Sequence, residues 1–303
     1  MYKIIEYERL DKNEIDGTYA LIDVRSPSEH NKETIPGSIN IPVLDDEERA
    51  IVGTTYIQES TKKAKRLGVE LVSKKLLSIY DETIALSEKY DYLIFFCYRG
   101  GMRSATIVSL FDTLGINTLK LNGGYKKYRK YITENLPKVC NGIKFIVLYG
   151  NTGTGKTQIL EYLEKEGMDV LDLEKCANHR GSYFGSVGLS EQNSQKMFES
   201  LIYESLKNRK TNIVFVEGES KRIGKVNIPD YLFNAMDNGI PIKIDASIEN
   251  RIKNIMLINI NVQFPPKVET NSVKICLMVS KTKLMLLEVA KTKHKEAIII
   301  TII

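Results

Sequence analysis

Phe145-Ile146-Val147-Leu148-Tyr149-Gly150-Asn151-Thr152-Gly153-Thr154-Gly155-Lys156-Thr157 joins an apolar run to a glycine-rich loop and a Lys-Thr pair, and Gln158-Ile-Leu-Glu-Tyr-Leu163 continues with a helical pattern. The loop fits G-x-x-x-x-G-K-[ST] without a mismatch, between the strand and the helix that this motif requires. Gly150, Gly153 and Gly155 let backbone amides wrap a phosphate, Lys156 neutralises it, and Thr157 can ligate Mg²⁺ with no direct protein metal cluster. A plain glycine turn is the weaker reading, because strand, loop, Lys-Thr pair and helix are all present.

Downstream, Ile213-Val-Phe-Val216 is a second apolar strand, and it ends in the carboxylates of Glu217 and Glu219. Glu217 is placed to hold a metal-bound water or to act just behind the ligand. The usual residue there is Asp, and no arginine finger stands out, so a phosphorylated or diphosphate ligand is better supported than nucleotide hydrolysis. His179 and Arg180 lie in a Gly- and Ser-rich loop after a strand, at the expected edge of the same cleft. His179 reads equally as a loop hydrogen-bonder or as an acid or base.

Upstream, Tyr92-Leu-Ile-Phe-Phe96 reads as a buried strand, followed at once by Cys97-Tyr-Arg-Gly-Gly-Met-Arg103-Ser104 at the start of a helix. A loop between a strand's C-terminal end and a helix N-terminus points several N–H groups at one spot, where the helix dipole adds positive charge. Such a cradle binds an anion and favours thiolate over thiol at Cys97. Gly100 and Gly101 permit the tight curl, while Arg99 and Arg103 can add charge-assisted contacts. The blander alternative is a small buried hydrophobe at a strand end. Cys-x5-Arg is also the spacing of thiol phosphatases, although Phe96 stands where those enzymes usually carry histidine, and no loop Asp offers itself as the leaving-group acid.

These stretches fall in two series of alternating strand and helix patterns. The first runs through Tyr19 to Val24, Thr61 to Ser87, Tyr92 to Phe96, Ser104 to Leu114 and Thr118 to Leu121. The second runs through Lys144 to Tyr149, a helix from Lys156, Asp169 to Leu173, Glu191 to Lys207, Asn212 to Val216 and Pro241 to Asp245. This is the rhythm of βαβ units around mostly parallel sheets. The expected division is residues 1–135, a linker over 136–142 where Pro137, Asn141 and Gly142 cluster, a phosphate-loop domain over 143–250, and an atypical basic tail over 251–303.

Composition sets limits on function. At 303 residues, 43% hydrophobic and 27% charged, the chain is an ordinary globular sequence long enough for two cores. Its net charge of +5 comes from the tail: residues 251–303 hold nine basic and three acidic side chains, leaving 34 against 35 elsewhere. A polyanion must therefore meet a local basic patch, since the main body has no general positive field. Cys97, Cys140, Cys176 and Cys276 lie 43, 36 and 100 residues apart, without zinc or disulfide spacing. Charge at the N-terminus and the lack of a long apolar run speak against a signal peptide or a membrane span. A reducing, cytoplasmic setting is expected, with Cys140 and Cys176 structural.

Asp23-Val-Arg-Ser-Pro27, Ile35-Pro-Gly-Ser-Ile-Asn-Ile-Pro42, the Cys97 loop and Asn122-Gly-Gly-Tyr125 resemble a rhodanese domain. The resemblance implies that Cys97 carries a transferable sulfur or selenium. Its loop is one residue longer than the usual sulfurtransferase Cys-x4-Arg, which suits a tetrahedral, phosphate-like anion. A rhodanese-like parallel-sheet domain followed by a P-loop NTPase-like α/β domain is in turn similar to the tRNA 2-selenouridine synthase family. Further residues carry that likeness: Glu47 to Thr54 with Tyr56, Gly123 to Arg129, Leu171 to Glu174, Ala177 to Gly185, and Glu217 to Ser220 with Arg222-Ile-Gly224.

What the resemblance implies is a two-stage conversion of wobble 2-thiouridine in tRNA. A geranyl group from geranyl diphosphate alkylates the 2-thio sulfur, and selenium from selenophosphate then displaces the S-geranyl group. Partners would be tRNA and a selenophosphate-supplying enzyme. For RNA contact, Tyr125-Lys126-Lys127-Tyr128-Arg129-Lys130-Tyr131 interleaves rings with positive charge, as stacking and phosphate pairing require, and as an exposed interdomain helix would also look. Two other classes stay open: a thiol phosphatase or sulfurtransferase with an appended nucleotide-binding domain, and a non-catalytic regulator. The likeness fades after Asn250. The glycine-free tail reads either as paired amphipathic helices or as an unnatural end left by a frame slip or truncation.

Overall fold

The computed structural model describes residues 2–181 and 189–260, together with strands over 274–279, 283–292 and 295–302; side chains are described as far as residue 254. The chain forms two compact units, Met1–Asn135 and Leu136–Ile303.

The first unit contains β1 (Lys3–Ile5), α1 (Tyr7–Asp11), β2 (Tyr19–Asp23), α2 (Pro27–Lys32), β3 (Ile39–Asn40), α3 (Asp46–Gln58), α4 (Thr61–Ser87), β4 (Tyr92–Phe96), α5 (Met102–Thr113), β5 (Thr118–Leu121) and the start of α6 (Gly124–Cys140). Its sheet has the order β1-β5-β4-β2-β3 and every pairing is parallel. Leu93, Ile94, Phe95 and Phe96 of β4 are all buried, which is why this strand reads as an unbroken apolar run instead of an alternating one. From β2 the chain moves to β3 on one side and then returns to β4 on the other. The C-terminal ends of β2 and β4 thus flank a topological switch point, where open parallel sheets bind ligands. Asp23 closes β2 and Cys97 follows β4.

Two helices intervene between β3 and β4. Asp45 and Glu48 form a reciprocal capping box at the start of α3, and Ser60 accepts the Lys63 N–H at the start of α4. The second half of α4 lays Ile79 and Thr83 into the core, whereas along its first two turns only Ala64 is buried.

The expected linker over 136–142 is mostly helix. α6 runs through Pro137 to Cys140, and the turn is confined to Asn141 and Gly142, the latter at φ +79. Leu136 and Cys140 are buried. Their burial keeps this last turn packed in the core although Pro137 supplies no N–H to it.

The second unit continues with β6 (Lys144–Tyr149), α7 (Lys156–Lys165), β7 (Val170–Leu171), α8 (Leu173–Ala177), α9 (Gln195–Lys207), β8 (Ile213–Glu217), β9 (Arg222–Ile223), β10 (Val226–Asn227), α10 (Asp230–Asp237), β11 (Ile240–Lys243) and α11 (Ile248–Ile260). Its sheet has the parallel order β11-β6-β8-β7, so the switch point lies between β6 and β8. The glycine loop follows β6, and Glu217 ends β8.

The tail departs from the expected pair of amphipathic helices. α11 carries the second unit past residue 250, and β12 (Lys274–Val279), β13 (Lys283–Thr292) and β14 (Lys295–Ile302) then form an antiparallel meander in place of paired helices. Runs of six to ten mostly apolar residues, divided by short polar breaks, suit strands better than amphipathic helices.

Candidate functional site

At the first site, β4 delivers Cys97 to the switch point and α5 leaves from Gly101. None of the backbone N–H groups from Tyr98 to Ser104 has an acceptor among the described residues. They are the orphan donors of a helix start plus those of the loop before it, left without partners at the C-terminal end of β4. Cys97 is 3% exposed, and the fully buried Ser104 hydroxyl lies 3.4 Å from its sulfur.

The loop is held from outside by the start of α6. Tyr125 N–H donates to the Cys97 carbonyl at 3.0 Å and Lys126 N–H to the Tyr98 carbonyl at 2.8 Å. Gly124, at φ +56, sits so close that a Cβ there would collide with the Cys97 carbonyl oxygen. Gly100, at φ +62, is packed against the backbone of Leu121, Gly123 and Gly124. Gly101 has open space at its Cβ position, so it serves as a flexible helix entry only.

Of the two loop arginines, Arg103 is anchored and Arg99 is exposed with no partner among the described residues. Arg103 Nη1 donates to Glu29 Oε2 at 2.6 Å, and Arg49 from α3 approaches the same oxygen at 3.6 Å. Burial would raise the Glu29 carboxyl, yet hydrogen bonding and charge from Arg103 hold it below its ordinary value. Glu29 and Arg49 thus belong to the site. Sequence reading gave neither a part in the thiol site, Arg49 figuring only in the family likeness, because they come from separate helices tens of residues upstream.

Beneath the loop lies a buried ion pair. Arg25 Nη2 donates to Asp23 Oδ2 at 2.6 Å and Nε to Oδ1 at 2.9 Å, while Thr34 donates to Oδ2 and His30 Nδ1 lies 3.3 Å from it. Burial alone would raise Asp23, but hydrogen bonds from His30 and Arg25 keep it below its usual range. The Arg25 guanidinium stacks 4.4 Å from the Tyr125 ring centroid.

This arrangement corrects the expected RNA contact. Tyr125 and Tyr128 are at most 1% exposed and Arg129 is buried, so these two rings are core residues unavailable for base stacking, while Tyr131 is half-buried with its hydroxyl on Asp11 at 2.8 Å. The helical period explains it: positions 125, 128 and 132 face inward together. Lys126 and Lys127 remain exposed, and Lys127 pairs with Glu6 at 2.7 Å.

At the second site, the loop from Gly150 to Gly155 opens α7. Between Asn151 and Thr157 one backbone N–H, that of Thr154, has an acceptor among the described residues. The others form a bare ring of donors. Gly155 adopts φ +91 and Gly153 φ +83, as the wrap requires. The Lys156 ammonium curls over the ring onto the Gly150 carbonyl at 2.8 Å.

Four carboxyl groups cluster behind the loop, and two of them, Glu174 and Glu219, feel the charge of this lysine. Thr157 Oγ1 lies 3.5 Å from Glu174 Oε2, and the Glu174 N–H donates to Glu217 Oε1 at 2.8 Å. Burial, with repulsion from Glu219 and Asp172, pushes Glu174 up to about 7. Burial and Asp172 push Glu217 well above its ordinary value, and Glu217 Oε2 has no hydrogen-bond partner among the described residues. Asp172 and Glu219 are also raised by burial. Among the described residues no group of three or more His, Cys, Asp or Glu is arranged to hold a metal ion.

Asp172 and Glu174 follow a strand end, a position that marks carboxylates for attention, although sequence alone gave them no role. His179 lies at the cleft edge, with its N–H on the Glu174 carbonyl and Nδ1 buried without a hydrogen bond among the described residues. Arg180 lies beside it, and Gly181 packs against the Glu174 and Glu219 carboxyls. Ser182 to Gly185 of the same motif lie outside the described residues. Cys140 and Cys176 are buried, which pushes both thiols up, Cys140 to about 12.

The loop is also braced from α11. Asn254 Nδ2 donates to the Gly153 carbonyl at 2.8 Å and Arg251 Nε to the Thr152 carbonyl at 3.0 Å. Both residues were expected to belong to a separate tail.

Fold and sites together define a rhodanese-like thiol domain followed, on one chain, by a P-loop α/β domain. Residues 6–131 match the rhodanese-like domain model, and residues 143–262 match that of the tRNA 2-selenouridine synthase AAA domain. A tRNA 2-selenouridine synthase of Nitrosomonas europaea is 37% identical over 78% of this chain and 62% of its own length. One of Pseudomonas syringae pv. syringae is 35% identical over 86% of this chain and 70% of its own. The crystal structure of the N-terminal domain of a putative ATP/GTP binding protein from Clostridium difficile 630 is 36% identical, covering 43% of this chain and 98% of that one, with a TM-score of 0.41. The chain belongs to the tRNA 2-selenouridine synthase family. It spans about two thirds of the length of the curated relatives it matches. No helix among the described residues is long and apolar enough to cross a membrane.

Proposed function

We propose that this protein replaces sulfur by selenium in the wobble 2-thiouridine of tRNA, in the cytoplasm, through an S-geranyl intermediate. In the first stage the 2-thio sulfur attacks C1 of geranyl diphosphate and the C–O bond breaks. The diphosphate that leaves carries the developing charge, which the bare amides from Asn151 to Thr157 and the Lys156 ammonium stabilise where they lie. Mg²⁺, if bound as such loops hold it, would take the Thr157 hydroxyl as its protein ligand, with Glu174 and Glu217 behind. When bound, the ion neutralises diphosphate charge and relieves repulsion among the four carboxyl groups.

In the second stage the Cys97 cradle takes selenophosphate. Its phosphate group matches the donors from Tyr98 to Ser104 and the remaining N–H groups of Arg103, which puts the chalcogen next to the Cys97 sulfur. The selenium of selenophosphate attacks C2 of the base as the C2–S bond breaks and the sulfur leaves, protonated, as geranylthiol; water then takes the phosphoryl group from selenium, which breaks the P–Se bond and releases phosphate.

The observation that carries this reading is the run of backbone amides after Cys97 that have no acceptor among the described residues, a set of donors suited to an anion. The test incubates the protein with 2-thiouridine tRNA, geranyl diphosphate and selenophosphate and analyses the nucleosides by mass spectrometry. Cys97→Ser should accumulate the S-geranyl nucleoside without selenium, and Lys156→Ala should form neither product. Full selenium incorporation by Cys97→Ser, together with full geranylation by Lys156→Ala, would overturn the assignment. Phosphate release from an aryl phosphate instead would favour the thiol phosphatase.

A further inference from the structure

With Tyr125 and Tyr128 of α6 buried, the cradle at Cys97 needs another surface to hold an RNA. We propose that the tip of the α3–α4 hairpin binds the phosphate backbone of the RNA substrate, through Lys62, Lys65 and Arg66 with Lys63 beside them.

The placement follows from the contacts at the hairpin's base. Asp46, at the start of α3, accepts from the Ser28 N–H at 3.0 Å and from its hydroxyl. One turn on, Arg49 reaches Glu29, the carboxylate that anchors Arg103 of the thiol loop. Lys75 of α4 pairs with both Asp45 and Glu48, so this level of α4 lies beside the start of α3. From there α3 runs outward and the first half of α4 runs back. Thirteen residues separate Lys62 from Lys75, which puts the tip about 20 Å along α4 from the level of Asp45 and Glu48 at 1.5 Å per residue.

The tip carries one sign of charge on one side. At 100° per residue, Lys62, Lys63, Lys65 and Arg66 fall within an arc of about 160°, and Ala64, the buried position, lies opposite. All four are exposed. Lys63 is paired with Glu59 at 2.8 Å, whereas Lys62, Lys65 and Arg66 have no partner among the described residues. Helix stability does not call for this pattern, since cations in the first turns oppose the helix dipole and the first turn has no acidic residue. Before residue 251 the chain is close to neutral overall, so an unneutralised cluster is the local patch that a polyanion needs. An RNA duplex about 20 Å across could lie along the hairpin and present one unpaired base at its base, where Cys97 and the arginines wait.

This inference rests on the reading of the protein as a tRNA-modifying enzyme, and the test separates the two. The full chain and the variant Lys62→Ala/Lys65→Ala/Arg66→Ala are titrated with 2-thiouridine tRNA over a range of salt concentrations by fluorescence anisotropy. Alanine favours helix, so the hairpin should remain folded, which circular dichroism checks. The expected result is at least tenfold weaker binding at low salt, and a slope of log K against log salt that is shallower by about two to three. Pyrophosphate binding should be unchanged. Equal affinity and equal slope in variant and parent would overturn the hairpin assignment while leaving the function intact. A parent chain that binds no tRNA would sink both. Loss of binding to phosphatidylserine vesicles with tRNA binding retained would reassign the patch to a membrane surface.

Discussion

The side chain of Asn254 donates a hydrogen bond to the carbonyl of Gly153 across 101 residues of sequence, tying α11 to the middle of the phosphate loop. Arg251, one turn earlier, does the same at Thr152. A loop made of backbone amides binds well only if its carbonyls are turned away from the anion, and these two bonds hold them so.

Removing both bonds should loosen the loop without removing any group that touches the phosphate. With about 1 kcal/mol for each bond, Arg251→Ala/Asn254→Ala is expected to weaken binding of Mg²⁺-pyrophosphate by about tenfold or more. Isothermal titration calorimetry on the full chain measures this directly. Unchanged affinity would show that the loop keeps its shape unaided.

The carboxyl cluster makes stability depend on pH in an unusual direction. Glu174 is pushed up to about 7, and Asp172, Glu217 and Glu219 are raised with it, so the native state holds protons that the unfolded chain releases. Between an unfolded value near 4.5 and about 7, stability must therefore fall as pH rises. The ligand-free protein should melt at higher temperature at pH 5.5 than at pH 7.5, and Glu174→Gln should reduce the difference. Calorimetric melting across that range decides the matter, and a parent protein more stable at pH 7.5 would contradict it.

Asp23 contributes with the opposite sign. Its carboxyl is held low, so its stabilisation is present above the ordinary aspartate range and is lost as pH falls through the depressed value. Truncation leaves Arg25 buried at 2% exposure without its counter-ion. Asp23→Ala should cost the first unit about 3–5 kcal/mol. Thermal melting should show a loss of about 10 °C or more. A change of only a degree or two would mean that the site relaxes to let water reach the arginine.

At Gly124 the backbone itself is the test. A Cβ there would meet the Cys97 carbonyl, at a φ that side chains seldom adopt. Gly124→Ala should abolish selenium transfer while geranylation by the second unit continues, a split that nucleoside mass spectrometry resolves. Retained selenium transfer would show that the thiol loop does not depend on its contact with α6.

Gly37, at φ +77 with open space around it, provides the comparison, since alanine there should cost about 1 kcal/mol of strain and leave chemistry alone.

Local sequence determined the strand–loop–helix units of both sites. Each is a contiguous run in which backbone geometry does the binding, so Tyr92 to Ser104 and Phe145 to Leu163 specify an amide ring and its central residue with little outside help. Tertiary structure decided what surrounds them. Glu29 and Arg49 reach Arg103, Glu174 reaches Thr157, and Arg251 and Asn254 reach the phosphate loop, because sheet order and helix packing bring distant segments together, which no local spacing encodes. The same packing turned Tyr125 and Tyr128 inward. Interleaved rings and charges on a helix read alike whether the rings face a core or a solvent groove, and only the neighbouring sheet settles which.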